Sequence, residues 1–359
     1  MKILYAAGLS LEESSLYRLW ALERLGHQVV PFNTFDYQPR NPLINKATFR
    51  LTAGPAVTRF NRDILGVAAA EKPDLLWADK QLFLHPRTLN RIREMGIASV
   101  SYMIDNPFGT RRDPGWRLYM KNIPHYDLHV VQRDKNIHDY LSRGARDVIK
   151  IQTAFEPTLH FPPPPAWSDS DRSRDVSFIG TPYDDRAETL GRLWRECGFS
   201  VVVSGSAKLW GRAMPTDVFK ATFHVGELYR EAYREAIWRS RINLSFLTHS
   251  NQDEFVHKSF EIAGCGGFLL AERSVGHLQR FKEDEEAVFF SNFDELARKI
   301  RRYLPDEAAR RRIAVAGNLR AVRDGYHNDR QVSLIIERIQ SKSEMRADLA
   351  ANPALAGHP

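Results

Sequence analysis

Cysteine is nearly absent: two in 359 residues, Cys197 and Cys265, far apart and without a CxxC spacing. That excludes a disulfide framework and a cysteine-built zinc site, and makes a reducing cytoplasm the default expectation. Long apolar runs are missing too. No segment approaches the ~18 uninterrupted apolar residues of a membrane helix, and the apolar part of "MKILYAAGLSLEESS" is too short for a signal peptide. The strand-to-helix junctions lack GxGxxG, no HExxH occurs, and the one DxD (Asp169 and Asp171) lies in a proline-rich stretch. The net charge of +7 is moderate for this length and admits anionic partners. Lys and Arg are spread along the chain, densest in "RRYLPDEAARRRIAVAGNLRAVR", as expected of solvated helix faces. No aromatic-basic alternation favours nucleic acid.

What is present is a rhythm. "KILYAAG" reads as a strand, "SLEESSLYRLWALERLG" as a helix with Ser10 as its cap and Gly26 as its end, and "HQVVPFN" as the next strand. The pattern repeats through "PDLLWAD", "HPRTLNRIREMG", "IASVSYMID", "YDLHVVQ", "RDKNIHDYLSRG" and "ARDVIKIQ". It implies an α/β, doubly wound parallel sheet covered on both faces. Residues 40–70 read as helices joined at a Gly-Pro break, with basic residues that are surface charges or a flank toward substrate or membrane. "FPPPPAWSDSDRSR" ends regular structure. The rhythm then restarts with "DVSFIG", "DRAETLGRLWRECG" and "FSVVVSG", and continues to "FDELARKIRRYL".

Ligands on such sheets sit outside the carboxyl ends of the strands, so the residues there are the candidates. Gly8 follows the first strand, where it serves a tight turn or a ligand. Asp105 ends "SYMIDNP" as a general base or as turn chemistry; His85 and Asp79 hold comparable loop positions. Gly180 and Thr181, with Arg186 nearby, and Gly205 with Lys208, form two glycine turns, each with a cation, that suit a diphosphate through free backbone N–H groups. In "DEFVHKSFEIAGCGGFLL", Asp253, His257 and Glu261 share a face if one helix starts near Asp253. That helix would offer Lys258 and His257 to an anion and Glu261 to a ribose diol, with no metal site expected.

The stretches "VSFIGTPYDDR", "LYREAYREAIWRSRINLSFL", "HKSFEIAGCGGFLLAERSVGHLQRFKEDEEAVFFSNFDELARKIRRYL" and "RRRIAVAGNLRAVRDGYHNDR" resemble the CgeB-like, spore-maturation type glycosyltransferases, with the GT-B pattern behind them. Residues 175 to 340 carry the resemblance; "YMIDNP" and "FEPTLHFPPP" match more loosely. The resemblance implies two Rossmann-like domains facing a central cleft, and a nucleotide-sugar donor held mostly by the second. In retaining relatives two glutamates stand seven residues apart. Glu261 matches the second; the first is Asp253 here, with Glu254 out of register, and Lys258 stands where the pattern often has Arg.

The expected layout is an acceptor-side domain at 1–160, a Pro-rich linker at 161–174, a donor domain at 175–325, a helix crossing back at 326–345 and a flexible tail at 346–359. The expected activity is transfer of a hexose from a nucleotide-diphosphate sugar, UDP-sugar first, to a glycan, lipid-linked or protein acceptor in polysaccharide biosynthesis, without cofactor or metal. Asp105, Asp253 and His257 are the catalytic candidates, with Asp105 as base if the reaction inverts. Gly180, Thr181, Arg186, Gly205, Lys208, Lys258 and Glu261 are assigned to the donor, and Gly8, Ser10 and His85 to the acceptor. The expected location is cytoplasmic, with peripheral contact at the inner membrane face left open. An epimerase-like reaction and a non-catalytic anion or nucleic-acid binder are the alternatives.

Overall fold

A computed structural model describes residues 1–110 and 113–351, with side chains described to residue 342. The chain forms two compact units, Met1–Ile151 with Asp329–Pro359, and Gln152–Asn328.

Unit 1 contains strands β1 (Lys2–Ala7), β2 (Gln28–Asn33), β3 (Leu75–Asp79), β4 (Ala98–Tyr102), β5 (Leu128–Val131) and β6 (Val148–Lys150). Its helices are α1 (Ser14–Arg24), α2 (Pro42–Leu51), α3 (Pro55–Glu71), α4 (Pro86–Glu94), α5 (Trp116–Asn122) and α6 (Asp134–Leu141). The sheet order is β2-β1-β3-β4-β5-β6 and every pairing is parallel. β3, "LLWAD", is buried along its whole length, as a strand covered on both faces must be. The Gly-Pro break is realised: Gly54 (φ 107°) precedes Pro55 at the start of α3.

Unit 2 contains β7 (Arg174–Ile179), β8 (Val201–Ser204), β9 (Phe223–Val225), β10 (Ser240–Ser245), β11 (Leu269–Glu272) and β12 (Val288–Phe290). Its helices are α7 (Arg186–Arg195), α8 (Ala207–Ala213), α9 (Thr216–Thr222), α10 (Arg230–Trp238), α11 (His257–Gly264), α12 (Val275–Leu278), α13 (Phe293–Tyr303) and α14 (Glu307–Arg323). The order is β12-β11-β10-β7-β8-β9, again all parallel. A last helix, α15 (Asn328–Ala351), places Val332, Ile335, Ile336 and Ile339 in the core of unit 1 beside Ile3, Tyr5 and Leu22.

The units divide at 151/152 and 328/329, against the expected 160, 174 and 325. The proline-rich stretch is the reason. It packs on unit 2: Trp238 Nε1 donates to the Phe161 carbonyl at 2.9 Å, and Arg234 donates to the Leu159 carbonyl at 3.0 Å. Asp169 pairs with Arg310 at 2.6 Å and Arg241 at 3.3 Å, so the DxD carboxylate anchors this segment.

In each sheet the winding direction reverses once, between β1 and β3 and between β7 and β10. The strand ends at these two reversals are where a doubly wound sheet opens a crevice for ligand.

Candidate functional site

At the β7/β10 reversal, two glycine turns touch. Trp210 Nε1 donates to the Gly180 carbonyl at 2.8 Å, and a Cβ on Gly205 would lie 2.2 Å from that same oxygen. No other residue fits at 205 without moving backbone. The expected free N–H groups are not found at these glycines. Gly180 N–H donates to the Ser204 carbonyl and Gly205 N–H to the Gly226 carbonyl, because the turns are laced into the sheet edge. Their contribution is close approach rather than donors.

Arg186 corrects a second expectation. Its guanidinium is buried and donates to the carbonyls of Thr181 (3.1 Å), Phe246 (3.3 Å) and Leu247 (2.9 Å), and to Thr248 Oγ1 (3.0 Å). It ties the loop after β7 to the loop after β10. That clamp shapes the crevice, and the charge is spent on carbonyl oxygens. Lys208 is exposed on the first turn of α8.

The cation that does stand at the turn is Lys258. A methyl on Gly180 would be 3.6 Å from Lys258 Cε, so the lysine stem runs alongside it. Lys258 lies in the first turn of α11, whose cap residue Val256 is extended (φ −133°, ψ 155°) and supplies no side-chain acceptor to the helix N–H groups. A helix beginning this way presents partial positive charge and uncapped donors. It begins at His257, not near Asp253. The loop 248–253 closes on itself through the Thr248 and His249 carbonyls, and Gln252 is left-handed (φ 55°), which ends any helical continuation upstream. Asp253 accepts from Asn251 at 2.9 Å in that loop. The shared helical face of Asp253, His257 and Glu261 therefore does not exist.

Lys258 and Glu261, three apart on α11, are joined through a residue that sequence reasoning missed. Lys258 Nζ donates to Tyr233 Oη at 3.1 Å, and Tyr233 donates to Glu261 Oε2 at 2.7 Å. Tyr233 comes from α10, and its ring also packs edge-on against buried His160 at 5.7 Å. His160 is a second missed residue; its Nδ1 accepts from Glu156 N–H at 3.1 Å, which fixes the ring. The tyrosine recurs every turn in "ELYREAYREAIW", but no spacing points it at a residue 28 positions away.

Burial and charge set the protonation states. Burial pushes the Lys258 ammonium down to about 8, with Arg186 adding to the push and Glu261 opposing it. Burial acts to raise the Glu261 carboxyl; His160, Lys258, His257 and the Tyr233 hydroxyl outweigh it and hold the group below the ordinary glutamate value. Burial also holds His160 below the ordinary histidine value, with Glu261 and Glu156 opposing it. The result is a half-buried ammonium beside a carboxylate, linked by a phenol, at the start of a helix.

The β1/β3 reversal in unit 1 is different. Asp79 and Arg18 form a buried bidentate pair at 2.6 and 2.9 Å; Tyr5 donates to Asp79 at 2.8 Å, and the guanidinium lies 4.3 Å from the Tyr102 ring centre. A hollow of about 180 Å³ opens there, lined by Gly8, Ser15, Lys80, Gln81 and Phe35 among others. Gly8 is packed under Phe35: a Cβ would meet the ring at 2.6 Å. Ser10 does not cap α1, which starts four residues later at Ser14 after Glu13. His85 is the cap residue of α4, with its N–H held by Asn61 at 2.9 Å, and it borders a separate surface hollow. Asp105 is ion-paired with Lys80 at 2.7 Å, and the following Asn106 bonds Phe108 N–H in the turn. Among the described residues no group of three or more His, Cys, Asp or Glu side chains gathers as a metal cluster.

Solved structures resemble this one over nearly the whole chain. HepE of Anabaena, solved with UDP-glucose, is 14% identical over 95% of this chain and 100% of its own, with a TM-score of 0.63. Sucrose-phosphate synthase of Thermosynechococcus elongatus is 12% identical over 96% and 100%, with a TM-score of 0.65. The α,α-trehalose 6-phosphate synthase of Burkholderia multivorans is 12% identical over 96% and 99%, with a TM-score of 0.63. The fold is GT-B. Residues 186–337, less than half of the chain, match the family model described as glycosyl transferase-like. That span begins at the Arg186 clamp and takes in all the GT-B donor-side candidates on α11, together with Tyr233. No curated protein sequence matches.

Proposed function

We propose that the protein is a glycosyltransferase that takes a hexose from a nucleotide-diphosphate sugar held by unit 2, UDP-sugar first, and passes it to a glycan, lipid-linked or protein acceptor. This is the CgeB-like reading, placed in polysaccharide biosynthesis in the cytoplasm, with peripheral contact at the membrane. The observation that carries it is the Lys258–Tyr233–Glu261 chain at the uncapped start of α11, beside the touching turns of Gly180 and Gly205. The solved neighbours, among them one holding UDP-glucose, support the donor class through shared fold.

In this reading the diphosphate lies at the first turn of α11 and Glu261 accepts from the ribose hydroxyls. An acceptor hydroxyl oxygen forms the new bond to the anomeric carbon and gives up its proton, while the bond from that carbon to the diphosphate oxygen breaks and its electron pair goes to the diphosphate oxygen. Lys258 and the α11 N–H groups meet the charge that develops. The phosphate itself raises the Lys258 pKa, so the ammonium is most firmly charged when the leaving group needs it. The mechanism needs no metal. Arg186 acts by fixing the two loops rather than by touching phosphate. If the reaction inverts, Asp105 is the base, and Lys80 is the cation it must part from to accept a proton. His257 and Asp253 border the same turn and loop, as groups for the donor sugar.

Calorimetric titration with UDP, GDP, TDP and ADP tests the reading. UDP should bind, and Glu261→Ala should weaken it about tenfold through lost ribose hydrogen bonds. Absence of binding by every nucleotide sinks the proposal; unchanged affinity in a folded Glu261→Ala protein removes the ribose assignment.

A further inference from the structure

The helix α2 breaks the usual rule for a surface helix. Thr48 is its only buried residue, yet it carries Leu43, Ile44 and Leu51 at 78%, 56% and 67% exposure. Leu43, exposed Ala47 and Leu51 follow at i, i+4 and i+8, and Ile44 stands beside them. Together they form one apolar stripe about 100° wide, and exposed Lys46 and Arg50 run along one edge of it. Where the stripe ends, Leu51 and Thr52 border a surface hollow of about 530 Å³ whose other walls include Arg87, Arg117 and Lys121. Those three cations are exposed, and Arg117 and Lys121 lie one turn apart on α5. Among the described residues none of Lys46, Arg50, Arg87, Arg117 or Lys121 is paired with a carboxylate.

We propose that this face of unit 1 docks on an anionic lipid bilayer. The α2 helix lies in the plane of the interface with Leu43, Ile44 and Leu51 in the acyl boundary, and Arg87, Arg117 and Lys121 take lipid phosphates at its end. The charge selects this occupant. A second copy would bring like charges together, and a nucleic acid would leave the aliphatic stripe in water. The inference deepens the peripheral-contact part of the proposed function and is independent of the nucleotide site.

Sedimentation of the full chain with vesicles tests it. Vesicles of phosphatidylcholine doped with phosphatidylglycerol should pull the protein down, and pure phosphatidylcholine should do so far more weakly. Leu43→Ser/Ile44→Ser/Leu51→Ser should cut partitioning at least about tenfold, and Arg87→Ala/Arg117→Ala/Lys121→Ala should remove the preference for the anionic vesicle. Both variants change exposed side chains and should keep the wild-type melting temperature. UDP titration runs in parallel, so vesicle binding without nucleotide binding fails the donor assignment alone. No sedimentation with anionic vesicles overturns the docking proposal. So does equal sedimentation of the apolar variant, or a concentration-dependent dimer that the same variant abolishes.

Discussion

The two sheets share strand number, direction and a single reversal, and they treat charge at that reversal in opposite ways. In unit 1 the charges cancel inside the protein: Arg18 and Asp79 are 3% and 2% exposed and satisfy each other, with Tyr5 and Tyr102 around them. In unit 2 the carbonyl oxygens consume one cation, Arg186, while a second, Lys258, is held half-buried with its pKa pushed down. A fold that neutralises its own charges at the strand ends offers polar hydrogen bonding without net charge. A fold that keeps an incompletely compensated ammonium there is prepared for an anion. In the proposed function the nucleotide diphosphate therefore belongs at the strand ends of the second sheet.

Asp79→Ala should have the largest effect on stability. It leaves the Arg18 guanidinium buried and unpaired, at a cost of about 3–5 kcal/mol, visible as a lower midpoint in urea. A cost below about 1 kcal/mol would mean that the unit 1 charges are not truly closed off. Gly205→Ala comes next. Its Cβ would stand 2.2 Å from a backbone oxygen, so the turn must shift, at about 1–3 kcal/mol, and nucleotide binding should fall with it. Tyr233→Phe should leave the melting temperature nearly unchanged and weaken UDP severalfold. It removes one hydrogen bond from each of Lys258 and Glu261.

The smallest effect is a matter of pH. A lysine whose folded pKa is about 8 lies below its unfolded value of 10.5, so the unfolded chain binds more protons in between. Stability from this group therefore rises with pH from 8 toward 10.5, and below 8 the charged lysine is a constant penalty. Lys258→Met should gain about 1 kcal/mol at pH 7, and the gain should fade by pH 10.5, measured as the difference in unfolding midpoint. A gain that does not fade would show that the cation is already compensated, as in unit 1.

The sequence made most strands and helix ends legible because they obey local rules. Short apolar runs buried along nearly their whole length, and Gly26 or Gly54 at a helix boundary, need no tertiary information. The positions of Lys258 in the first turn of α11 and of Gly180 and Gly205 at strand ends were legible for the same reason, whereas Glu261, a turn further along, was matched through the resemblance. What escaped depends on distant partners. Tyr233 and His160 reach the site from other elements. Arg186 looks like a ligand cation until the carbonyls of the β10 loop are in view. Asp253 falls off α11 because the 248–253 loop bonds to itself, a choice that no helix propensity records. The short α8, α9 and β9 were unread because seven-residue helices and a three-residue strand leave too little periodicity to detect.

The chain enters unit 2 at Gln152 and leaves it at Asn328, and the two ends are fastened: Phe155 N–H donates to the Tyr326 carbonyl and Asn328 N–H to the Phe155 carbonyl. Unit 2 is thus one unbroken stretch with its own clasp, whereas unit 1 awaits the aliphatic face of α15, which is synthesised after everything else in its core. On the ribosome the second unit in sequence can be the first to finish. Until α15 emerges, the cluster that holds Ile3, Tyr5 and Leu22 lacks Val332, Ile335, Ile336 and Ile339, so the nascent first unit is the one left with apolar surface open.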